Sequence, residues 1–149
     1  DYWGVAHLSE GSISLHVACI GDLNCITHEL THHYFFNTYG LQEKWDEIVG
    51  LDPNGNEIEE YRSNPKLGNK YGFVDVYGTI YNATSGWIED PATYVGNIYS
   101  GLYNFNAVKD RKNKKYEMKL ELLLYANLIT DEQFSQANDI LKFGEKNGR

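Results

Sequence analysis

A chain of 149 residues, 42% hydrophobic and 23% charged, has the size and composition of one globular domain spanning 1–149, with enough apolar residues to bury a core. Its net charge of -8 and pI near 5.0 repel phosphate backbones and argue against nucleic acid as a partner. The longest apolar run, LELLLYANLI, is broken by Glu121 and Asn127, so no membrane span is expected.

The sequence begins at Asp1 with neither an initiator Met nor a signal-peptide pattern, so a mature form or a piece excised from a longer chain is expected. GSISLHVA (11–18) alternates, with Ile13, Leu15 and Val17 on one face, and predicts a half-buried strand. Cys19 and Cys25 either close a short disulfide loop or stand as free thiols; the expected location is secreted or extracytoplasmic. Asp22 is placed to cap a helix over 23–38 that Gly40 stops. Its buried stripe is expected to be Leu23, Ile26, Thr27, Leu30 and Tyr34, at spacings of three and four. LQEKWDEIV predicts a short helix ending at Gly50, followed by a turn in LDPNGN. Asp52, Asn54 and Asn56 resemble the start of a calcium loop, but Glu57 stands where the loop needs glycine, so calcium is set aside. Residues 59–70 read as a polar loop and YGFVDVYG as a short extended piece. WIEDPATYVGNIYSGLYNF is helical, with Pro91 in its first turn. KKYEMKLELLLYANL is a further helix, and TDEQFSQANDILKF is the last, opened by a Thr130/Gln133 capping box. The fold class is α+β, mainly helical, with a small sheet near the N-terminus.

Within the 23–38 helix, His28, Glu29 and His32 spell H-E-x-x-H on a face other than the apolar stripe. Two histidines one turn apart project side by side and can reach one cation. Glu29, next to the first histidine, is placed to take a proton from an attacking water and not to bind the metal. A solvated helix can carry the same letters. The helical periodicity, the strand before it and the separate face favour a site.

A catalytic zinc needs a third protein ligand. Six residues after His32, where metzincins place a histidine, stands Thr38. His33 is turned about 100° from His32. His7 and His16 reach only from the strand side, and Cys25 would have to pass His28. The best candidate is Glu89, on a second predicted helix; Asp75 is a rival, and Asp90 lies on a different face.

With these residues the sequence resembles the gluzincin metallopeptidases, which pair an H-E-x-x-H helix with a glutamate on a later helix. It is most similar to the group around the catalytic domain of anthrax toxin lethal factor, on YGFVDVYGTIYNATSGWIEDPATYV and the strand and helix before it. The resemblance implies a zincin-like domain in which Zn2+ is held by His28, His32 and Glu89, with Glu29 as base and acid. It also implies that Tyr77 steadies the oxyanion, with Tyr81 as rival because the spacing to Glu89 is longer than in that group. The family often carries an acid four residues after the ligand glutamate; here that residue is Thr93. The implied activity is peptide-bond hydrolysis on a peptide or protein substrate, which could pair along the 12–18 strand. The alternative is a catalytically silent binding module that retains zinc.

Overall fold

The computed structural model describes residues 4–50, 71–74, 88–108 and 113–144. Among these, the protein is mainly helical with one two-stranded antiparallel sheet. Strand β1 (Gly4–His7) pairs with β2 (Ser12–Leu15) in the register Gly4↔Leu15 and His7↔Ser12. The expected strand therefore ends three residues early. His16 instead accepts a hydrogen bond from Ala18 N at 3.1 Å and opens a 3-10 turn over Val17–Cys19, which leaves Val17 75% exposed. A local side-chain bond has outcompeted strand pairing there.

A disulfide joins Cys19 to Cys25 and ties this turn to the helix that follows. That helix, α1 (Leu23–Asn37), starts at Asp22, whose carboxylate accepts from Asn24 N at 2.8 Å. The chain then passes through Gly40, in the left-handed region at φ 76°, into α2 (Leu41–Val49), which closes at Gly50. Helix α3 (Glu89–Tyr99) ends at Ser100, and the short α4 (Tyr103–Asn106) follows. The single helix expected over this stretch is thus divided, because Gly101 and Leu102 both adopt positive φ. Helices α5 (Lys115–Tyr125) and α6 (Asp131–Phe143) complete the set, and α6 carries the full Thr130/Gln133 capping box. No described helix is long and apolar enough to cross a membrane.

The core is built around edge-to-face rings. Phe35 meets Trp45 at 5.8 Å, Trp45 meets Tyr94 at 5.2 Å, and Tyr94 meets Phe105 at 5.3 Å. Leu120, Leu123, Ala137 and Leu141 extend it between α5 and α6.

One expectation for α1 is reversed. Leu23 and Leu30 are 54% and 52% exposed and Tyr34 is also exposed, while His28, Glu29, Thr31 and Phe35 are the buried side chains. The motif face is the inward face. Helix α1 packs along α3, and the close approach depends on Gly96: a Cβ there would run into the Asn24 side chain and carbonyl. Spacing of apolar residues assumes that the inward face is the oily one, and in α1 the chemistry of the motif occupies it instead.

Candidate metal centre

Helix α1 presents His28 and His32 one turn apart, with ring centroids 4.9 Å apart and planes nearly perpendicular. The first turn of α3 brings Glu89 across from them. Its Oε2 lies 3.0 Å from His28 Nε2, and its Oε1 lies 3.0 Å from His32 Nε2. All three side chains are nearly buried, at 11% exposure for each histidine and 15% for Glu89. Glu29 is buried too, its Oε1 3.9 Å from His28 Nε2. Behind it stands Gly4 of β1. A Cβ on that residue would fall 2.9 Å from Glu29 Cγ, so glycine leaves the space that the carboxylate stem fills.

The electrostatics separate the two carboxylates. Burial works to raise the Glu89 carboxyl, but hydrogen bonds from His28 and His32 outweigh it and hold the group down to about 2. Burial also acts on Glu29 and there it wins, raising the carboxyl against the pull of the same histidines, with help from the Glu89 charge. One acid is thus held as an anion against both imidazoles. The other is biased toward taking up a proton, the property a general base needs once it has worked.

His28, Glu29 and His32 lie close enough together to hold a metal ion, their ligand atoms all within 4.8 Å of one another. Two carboxylates compete to be the third ligand, and the separations favour Glu89, which touches both imidazoles. A tetrahedral ion with ligands at about 2.0–2.1 Å sets its ligand atoms roughly 3.3 Å apart. The 3.0 Å separations from Glu89 to each ring nitrogen are close to that spacing, so the nitrogen and oxygen donors present fit a divalent ion such as zinc.

The remaining candidates are engaged elsewhere. His7 Nε2 is 2.8 Å from Ser14 Oγ, His16 caps the 3-10 turn, and His33 Nε2 is 2.7 Å from the Ser12 carbonyl, fastening α1 to β2. Cys25 is in the disulfide. Asp90 turns away from the histidines into the core, as its helical position requires. Thr93 donates to the Glu89 carbonyl at 2.8 Å and so supports the backbone of Glu89. Asp75, Tyr77, Tyr81 and the calcium-like 52–57 stretch lie outside the described residues.

Beside His32 opens a recess of about 300 Å³. Leu8, Phe35, Phe36, Tyr39 and Ile88 give it mainly apolar walls, and Gln42 and Glu43 add polar groups. Sequence reasoning missed both this recess and Lys119, which sits under the first turn of α3. Lys119 was detectable in principle, because it falls in phase with Tyr116, Leu120 and Leu123 on the inward face of α5. Comparison of the chain with protein-family models, with curated proteins and with solved structures gave no match.

Proposed function

We propose that the protein is a zinc-dependent peptidase of zincin-like fold, acting outside the cytoplasm, with His28, His32 and Glu89 as the metal ligands. The observation that carries this reading is the Glu89 carboxylate placed 3.0 Å from both imidazoles, with a second buried carboxylate, Glu29, alongside. A structural zinc site would have no use for Glu29 and favours four closed protein ligands.

Bound zinc would supply acidification of a water and polarisation of the scissile carbonyl. The protein's own residues do the rest. Glu29, buried beside the histidines, takes the proton of the attacking water and hands it to the leaving amine. The apolar recess beside His32 receives a side chain of the peptide and holds the scissile bond in register. Tyr77 is the donor proposed for the oxyanion, by resemblance to the lethal-factor group, with Tyr81 as its rival.

The test is metal analysis of the purified protein together with hydrolysis of a peptide library, before and after chelation. One equivalent of zinc and chelator-sensitive cleavage are expected. A protein that holds zinc yet cleaves nothing would be the silent binding module. Measured on one peptide substrate, Tyr77→Phe should lower kcat by roughly 100- to 1000-fold with zinc content unchanged. If Tyr81→Phe is the damaged variant instead, the two tyrosines exchange roles.

A further inference from the structure

Lys119 is 0% exposed, and so is Asp90, its partner. The Lys119 ammonium donates to the Tyr71 carbonyl at 2.7 Å, to the Gly72 carbonyl at 2.9 Å and to Asp90 Oδ2. The rings of Trp45, Phe73 and Tyr94 surround it, with centroids 4.7–5.4 Å away. Trp45 Nε1 donates to the same Asp90 oxygen at 2.9 Å. Burial lowers the lysine to about 8, against the pull of Asp90. A buried ion pair is poor value as a source of stability, because apolar residues of the same volume do as well or better. Its placement points to a role besides stability.

The start of α3 supplies the reason. That helix begins at Ile88 with no side-chain cap, so among the described residues its first turn is held mainly by tertiary bonds and by Thr93, which donates to the Glu89 carbonyl. Glu89 and Asp90 are the first two residues of this turn, about 100° apart around the axis. Asp90 is tied to Trp45 of α2 and Lys119 of α5, while Glu89 faces the histidines of α1. The same lysine grips the carbonyls of 71 and 72, and Tyr94 and Tyr116 donate to the carbonyls of 72 and 73.

We propose that Lys119 is a positioning residue for the metal centre: through Asp90 it fixes the first turn of α3 and so holds the Glu89 carboxylate against His28 and His32. This rests on the reading of Glu89 as a ligand. Lys119 touches no ligand itself. Its loss acts through the placement of one.

The experiment uses Lys119→Met and Trp45→Phe, with Leu141→Ala in α6 as a control that lowers stability away from Asp90. Zinc affinity is measured by competition with a chromophoric chelator, under conditions where each variant is folded. The imidazole resonances of His28 and His32 are recorded in the metal-free proteins. Lys119→Met should weaken zinc binding by roughly 10- to 100-fold and shift both imidazoles. Trp45→Phe, which keeps an aromatic ring at the cost of a small cavity and removes one bond to Asp90, should do the same at about tenfold, the lower end of that range. Leu141→Ala should lower the melting temperature and change neither readout. If Lys119→Met does not fold, Trp45→Phe decides. Unchanged affinity and unmoved imidazoles in the folded variants would overturn the proposal and leave the lysine a packing element. If the parent binds no zinc while the imidazoles still shift, the peptidase reading fails and the positioning role stands.

Discussion

Helices α1 and α6 both begin at well-formed caps, but they turn opposite kinds of face inward. Helix α6 buries Ala137 and Leu141. Helix α1 buries His28, Glu29, Thr31 and Phe35 and leaves Leu23 and Leu30 largely in solvent. The difference separates two uses of burial. In α6 it removes apolar surface from water, and in α1 it removes water from ionisable groups. A helix of the first kind shows its orientation in its spacing, and a helix of the second kind hides it.

If that contrast is right, substitutions in the two inward faces should fail in different currencies. The largest effect belongs to Glu29→Gln, which should keep zinc and the fold and lower peptide hydrolysis by roughly 10²- to 10⁴-fold, because the amide cannot accept the proton. Turnover and zinc content measured on one preparation check this; a variant as fast as the parent removes Glu29 from the mechanism. The counterpart in α6 is Leu141→Ala, which should cost about 2–5 kcal/mol in denaturant unfolding through the cavity it leaves. Its kcat, measured while folded, should stay near that of the parent. A large kcat loss there would erase the distinction between the faces.

A smaller effect is expected at Asp46 in α2, where burial, with the charges of Glu43 and Asp90, raises the carboxyl to about 6 against the hydrogen bond from Gln42. The folded protein then holds this proton more tightly than the unfolded chain does. Its stabilising contribution is complete below the ordinary value of 3.8 and is lost as pH rises through 6. Asp46→Asn should therefore stabilise the protein at pH 8 by about 1 kcal/mol, a value reduced for partial exposure, and make no difference near pH 3.5. Equal effects at both pH values would show that the charge is not the cause. The smallest effect should come from the outer face of α1, where Leu30→Gln is expected to change stability by no more than about 0.5 kcal/mol. A loss of several kcal/mol would mean that the apolar stripe is covered after all.

The legible parts of this protein are those decided locally. Asp22, Gly50 and the Thr130/Gln133 box mark helix ends because a cap needs only its own neighbours. The i, i+4 spacing of His28 and His32 likewise requires nothing beyond one helix, and the placement of Glu89 and Asp90 on different faces followed from counting around the helix. What stayed hidden depends on distant partners. Strand β1 is four residues long and carries no clear alternation until β2 lies beside it. The break at Gly101 and Leu102 was masked because Tyr103 and Phe105 continue an apolar pattern through it. The phase of Lys119 shows that it faces inward, but not that Asp90 and two carbonyls receive its ammonium there.

The adjacency of Glu89 and Asp90 has a consequence for how the chain can vary. Two anchors on different sides of one helical turn fix its roll about its own axis as well as its position, where a single anchor would leave the roll free. The Glu89 carboxylate is thereby oriented through partners in α1, α2 and α5. Of the stretch between α2 and α3, Tyr71, Gly72 and Phe73 take part in the same anchoring, since Lys119, Tyr94 and Tyr116 donate to their carbonyls. Exchanging the two acids would send the longer side chain into the core and the shorter one toward the histidines, and neither would reach as its predecessor did.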